Sequence, residues 1–177
     1  MNRPRLLIAG IGNIFLGDDA FGVEVAQRLA RRPLPEAVRV VDFGIRGLDL
    51  TYALLDGYEA VILIDAMPRG GAPGTLYVLE PERGDTENPG VSIEMHRLDP
   101  VKVLQLAATM GAKVERLLVV GCEPATSDDE DMRDGLSEPV RLAVDEAIPL
   151  IESLAARLLQ GERFEANETR IHSLKEV

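Results

Sequence analysis

Leu6-Leu7-Ile8-Ala9-Gly10-Ile11-Gly12-Asn13-Ile14-Phe15-Leu16-Gly17-Asp18-Asp19-Ala20-Phe21-Gly22 is the stretch on which the fold turns. Leu6 to Ala9 is a brief apolar run closed by a turn residue, which reads as a buried strand. From Asp19 the period changes. Phe21, Val25, Ala26, Leu29 and Ala30 fall on one stripe of a helix that ends before Pro33. A strand, a glycine loop and a helix in that order begin a βαβ unit.

The unit recurs downstream. Val38 to Val41 is rich in β-branched residues, Gly47 to Leu55 is helix-like, and Ala60 to Ile64 is an almost wholly apolar strand ending at Asp65. After a loop containing Gly70, Gly71, Pro73 and Gly74, Thr75 to Leu79 alternates, as an antiparallel or edge strand would. A helix is expected from about Pro100 to Met110 and a buried strand over Leu117 to Gly121. The last long helix should take Ser137 as N-cap and carry Pro139 in its first turn. The expectation is α/β: a single-domain three-layer fold with a twisted, mostly parallel sheet of about five strands and helices on both faces. Residues 1–160 form that domain, and the polar, aperiodic residues 161–177 read as a mobile C-terminal tail.

Composition agrees. A hydrophobic content of 46% with only 4% aromatics and no Trp calls for a core of Leu, Val, Ile and Ala, as in strands covered by helices. Thirty acidic against nineteen basic residues give a net charge of -11, which opposes a phosphate backbone and argues against nucleic acid as partner. Cys122, the single cysteine, can form no internal disulfide, which fits a reducing cytoplasm. No stretch reaches the roughly 20 apolar residues of a membrane span. Nothing in the pattern sets an oligomeric state.

Gly10-Ile11-Gly12 opens like a dinucleotide fingerprint, with Asp42 where a ribose partner would stand. Yet Phe15 replaces the third glycine, and Asp18 and Asp19 occupy the helix start where an anionic pyrophosphate would bind. Two carboxylates there suit a cation, the more so if Asp65 arrives beside them from a neighbouring strand end. His96, in the loop before a helix, would add a nitrogen donor, leaving open positions for a transition metal that binds something else as well. The plainer readings stand alongside. Asp18 or Asp19 can cap the helix, Asp65 can cap a turn, and a histidine in a polar loop is ordinarily solvated. Asp128 to Asp131 lack the glycine and spacing of a calcium loop, and Cys122 at a strand end reads as a buried structural thiol. His172 falls in the tail. There is no paired-histidine zinc-protease helix, no nucleophile elbow and no lysine-bearing phosphate loop.

The order of short motifs is more specific than any one of them. Gly10-Ile11-Gly12-Asn13, Gly17-Asp18-Asp19 and Gly22 are followed by Asp42-Phe43-Gly44, Ile64-Asp65-Ala66, Pro73-Gly74-Thr75, His96 and Val120-Gly121-Cys122-Glu123-Pro124. Over roughly residues 5 to 160 this resembles the hydrogenase maturation proteases. The resemblance implies a metal-dependent endopeptidase that removes a C-terminal extension from the large-subunit precursor of a nickel-iron hydrogenase once nickel is inserted. It implies metal contacts at Asp19, Asp65 and His96, which are also the catalytic residues, with Asp18 matching a neighbouring family acid. Nickel would be carried by the substrate rather than held permanently, and zinc or cadmium could stand in for it. Many relatives have a Gly-Thr pair where this chain reads Gly44-Ile45-Arg46-Gly47, a loop the family associates with substrate choice, so Gly44, Arg46 and Gly47 are expected to bind substrate. Two other readings remain open on the residues: a nucleotide-binding Rossmann-like module using Gly10, Gly12 and Asp42, and a non-catalytic metal-sensing chaperone of the hydrogenase subunit.

Overall fold

Leu6–Ile11 (β1) is buried along its whole length, and its side chains divide between two cores. In the computed structural model, which describes residues 5–81, 100–125, 135–162, 164 and 169–171, Leu6 and Ile8 point to one face of a sheet. Leu7, Ala9 and Ile11 point to the other. The period-two alternation of a strand makes this division, and it requires apolar residues at every position because both faces are covered.

The same division holds for the strands beside it. Ala60–Ala66 (β3) gives Ile62 and Ile64 to the first core and Val61 and Leu63 to the second. Arg116–Cys122 (β5) gives Leu118, Val120 and Cys122 to the first and Val119 to the second. Phe21–Leu29 (α1) and Glu138–Leu159 (α4) cover the first face. Gly47–Leu54 (α2) and Pro100–Thr109 (α3) cover the second. A fully buried Leu or Ile contributes roughly 1.5–3 kcal/mol relative to exposure, so these two cores dominate the favourable side of folding.

The sheet has six strands. With Val38–Gly44 (β2), Leu76–Leu79 (β4) and Thr169–Ile171 (β6), the order is β2-β1-β3-β5-β4-β6. β2, β1, β3 and β5 are parallel; β4 is antiparallel to β5 and to β6. The mixed, mostly parallel sheet matches the expectation, with one strand more. That strand comes from residues 161–177, where Thr169 to Ile171 pairs with Leu76 to Val78. Nearby, Phe164 packs on the first core, with the Arg116 and Arg157 guanidinium groups over its ring at 5.1 and 4.2 Å.

β1 lies between β2 and β3, so the chain leaves it to one side and later returns to pair on its other side. The carboxyl ends of β1 and β3 therefore stand next to each other, where parallel α/β sheets open a crevice. Among the described residues no helix is long and apolar enough to cross a membrane.

Candidate active site

The glycine loop is shaped by close backbone packing. A Cβ on Gly22, in the first turn of α1, would lie 2.1 Å from the Ile64 carbonyl oxygen and 2.3 Å from that of Ile11. Only glycine lets the helix sit this tightly on the ends of β3 and β1. Gly12 has φ of 145°, and a Cβ there would fall 1.9 Å from the Asp19 carbonyl oxygen. The fingerprint glycines thus serve helix-to-sheet contact, and Asp42 accepts a hydrogen bond from Gln27 Nε2 at 3.0 Å.

That packing brings Asp19 back over the loop that precedes it. Asp19 sits in a 3₁₀ turn, Gly17–Ala20, and its Oδ2 accepts the Asn13 amide at 2.7 Å. Asn13 Oδ1 in turn accepts the Phe15 amide at 3.0 Å, an Asx turn that fixes the loop's path. Asp65, one residue from the end of β3, is 6% exposed, and its Oδ1 accepts the Ala66 amide at 2.9 Å. Burial holds the Asp65 carboxyl well above the ordinary carboxylate range, and the nearby charge of Asp19 pushes it further. Asp19 and Asp65 therefore lie near enough for the charge of one to act on the other. A pair of this kind is poorly tolerated as two bare anions and is relieved by a proton or a cation. His96 lies outside the described residues, as do Asp128 to Asp131 and His172. Among the described residues no cluster of three or more metal-ligating side chains occurs.

Asp18 points elsewhere. It is 7% exposed, and its Oδ1 accepts the Ser137 amide at 2.7 Å, while Oδ2 accepts the Ala125 amide at 2.8 Å and Ser137 Oγ–H at 2.9 Å. Ser137 does occupy the N-cap of α4, but its hydroxyl makes no cap bond and goes to Asp18 instead.

Sequence reasoning gave Glu123 no role beyond its place in the motif Val120-Gly121-Cys122-Glu123-Pro124. Glu123 is buried, and its carboxylate accepts the Arg69 amide at 2.9 Å, the Gly70 amide at 3.1 Å and the Tyr77 hydroxyl at 2.7 Å. Its backbone joins in, accepting from Gly74 N–H and donating to the Thr75 carbonyl, both at 2.8 Å. This holds the loop that follows Asp65 against the end of β5. The only available signal was a charged residue directly after the apolar run Leu117 to Cys122. Next to it Cys122 is fully buried, and burial with the charges of Asp18 and Glu123 pushes its thiol far up, which suits a structural group and not a nucleophile.

Gly44, Arg46 and Gly47 lie at the same edge of the sheet. The Gly12 amide donates to the Gly44 carbonyl at 3.1 Å, tying this loop to the glycine loop. The Arg46 guanidinium donates to the carbonyls of Asp42 and Phe43 and pairs with Asp49 at 3.4 Å. Ile45 and Leu48 beside it are 62% and 65% exposed.

Comparison with known proteins bears on this geometry. The family model described as hydrogenase maturation protease matches residues 23–154. The hydrogenase expression/formation protein HoxM of Azotobacter vinelandii is 34% identical over 159 residues, covering 89% of this chain and 75% of HoxM. Among solved structures, the hydrogenase maturating endopeptidase HybD from E. coli superposes with a TM-score of 0.72 at 29% identity, over 89% of this chain and 94% of that one. A hydrogenase 2 maturation peptidase from a Thaumarchaeota archaeon gives a TM-score of 0.66 at 30% identity, over 86% and 98%.

Proposed function

We propose a function from one premise: the chain belongs to the hydrogenase maturation protease family. Its activity is that of a peptidase. The substrate we assign is the large-subunit precursor of a nickel-iron hydrogenase, from which the enzyme removes the C-terminal extension, in the cytoplasm, after nickel has been inserted.

The observation that carries this reading is the charge of half-buried Asp19, in the turn that follows β1, acting on buried Asp65 at the end of the adjoining β3. With His96 as nitrogen donor, the pair offers two carboxylates and an imidazole to an ion that keeps other ligands, which suits nickel still held by the precursor. An unloaded precursor brings no cation to offset the two acids, so it is a poor substrate. Cleavage is thereby licensed by the metal that arrives with the substrate, and zinc or cadmium can act as surrogates. Attack on the scissile carbonyl by a water that the ion or an adjacent carboxylate activates completes the cut. Gly44, Arg46 and Gly47 hold the precursor, next to the exposed apolar side chains of Ile45 and Leu48.

The test is the mass of purified precursor after incubation with the enzyme, with and without nickel. Shortening only in the nickel-loaded sample supports the assignment. An unshortened precursor in a stable complex would indicate a chaperone, and equal shortening in both samples would remove the metal from the account.

A further inference from the structure

The residue next to Asp19 has a use that neither its position in the motif nor its charge reveals. Asp18 makes no side-chain bond within its own 3₁₀ turn. All three of its hydrogen bonds reach residues 107 and 119 positions away: the Ala125 amide just past β5, and the amide and hydroxyl of Ser137 at the start of α4. These are the two described ends of the β5–α4 connection. A carboxylate is the fitting acceptor, since its two oxygens offer about four lone-pair sites and no hydrogen to oppose a donor.

We infer that Asp18 is a positioning residue for the reaction, clamping the 3₁₀ turn to the exit of β5 and the start of α4 so that Asp19 is held facing Asp65. Consecutive Cα atoms are about 3.8 Å apart, so fixing residue 18 leaves Asp19 little room to shift. Asp19 is then steadied from its other side by the Asn13 amide on its Oδ2. The two neighbouring acids divide the work: one faces away from the cleft and holds the turn, the other faces the cleft. An uncharged amide at position 18 would turn an N–H₂ toward at least one of three donors and let the turn slide. Outer partners of this kind typically change activity or metal affinity by about 10–100-fold.

This inference rests on the reading of Asp19 as a nickel contact, and the experiment separates the two. The full-length protein carrying Asp18→Asn is examined by amide NMR and in processing of nickel-loaded precursor, with Asp19→Asn alongside. The expected result is a displaced Asn13 amide resonance, reporting a changed Asn13–Asp19 hydrogen bond, together with a kcat about 10–100-fold lower and a KM near that of the parent enzyme. An unmoved Asn13 amide, or an unchanged kcat, overturns the inference even if the variant melts earlier, because a merely structural role lowers stability alone. If Asp18→Asn does not fold, Ser137→Ala removes one donor only; a smaller change in both readouts is expected, and no change in either overturns the inference. Wild-type processing by Asp19→Asn would instead bring down the nickel reading, while the Asn13 resonance still reports whether Asp18 positions its neighbour.

Discussion

Asp19, in the turn after β1, stands near Asp65, at the end of the strand paired with β1, and the charge of the first raises the proton affinity of the buried second. This relationship opposes stability and serves function, and it yields a prediction that separates the two. The folded pKa of Asp65 lies above its ordinary value of 3.8, so the folded state binds a proton there more tightly than the unfolded chain. Stability from this group is therefore fully present below pH 3.8 and is lost as pH rises toward the folded value. Asp65→Asn removes the charge and keeps an oxygen for the Ala66 amide. In metal-free protein the variant should melt above the parent at neutral pH, with the difference shrinking as pH falls toward 4, while processing is lost. Thermal melts across that pH range check this; a variant less stable than the parent at pH 7 would contradict it.

Removing either a cleft-facing acid or the nitrogen donor should stop the reaction without unfolding the protein. Asp19→Asn and His96→Ala are each expected to reduce processing of nickel-loaded precursor by more than the roughly 10–100-fold typical of outer partners, with unchanged circular dichroism. Precursor mass against time gives the rate, and parent-like rates would refute the assignment.

The Glu123 anchor makes a stability prediction. Tyr77→Phe deletes one donor to a buried carboxylate that keeps the Arg69 and Gly70 amides. Hydrogen bonds to charged groups contribute about 1.5–3 kcal/mol, and urea unfolding should show a loss in that range. A loss under about 0.5 kcal/mol would mean that this bond is replaced by solvent.

Gly22→Ala should be among the most damaging single changes. The added methyl meets two backbone oxygens, of Ile64 and Ile11, and neither can swing aside as a side chain would. Overpacking typically costs 1–3 kcal/mol, and rigid backbone neighbours place this case at about 3 kcal/mol or more. Chemical denaturation of the purified variant measures it, and a loss below about 1 kcal/mol would show that α1 can lift off the strands.

Much of the fold was legible in the sequence because its central strands are buried on both sides. Leu6 to Ala9 and Ala60 to Ile64 announce themselves as apolar runs, and the period change after Asp19 marks the crossover helix. Strand ends were less legible. β1 and β2 continue to Ile11 and Gly44 because backbone pairing carries on through glycines that have no side chain to form a pattern. Thr169–Ile171 was hidden in a polar tail because three residues are too few to show alternation. The site divided in the same way. Asp65 could be picked out by its place at the exit of an apolar strand, and Asp19 by the motif around it. Which of Asp18 and Asp19 faces the cleft depends on donors at Ala125 and Ser137, over a hundred residues away, and no local pattern encodes that choice. Glu123 was missed for a related reason: a carboxylate beside an acidic stretch looks solvated until the Arg69 and Gly70 amides and the Tyr77 hydroxyl are seen to converge on it.

The central claim is that Asp19 and Asp65 reach the nickel of the loaded precursor. Nickel X-ray absorption tests it most directly, on the precursor alone and on the precursor mixed with stoichiometric enzyme and frozen before turnover. The account predicts added oxygen or nitrogen neighbours at nickel in the mixture, absent when the enzyme carries both Asp19→Asn and Asp65→Asn. Identical nickel spectra with and without the parent enzyme would contradict it.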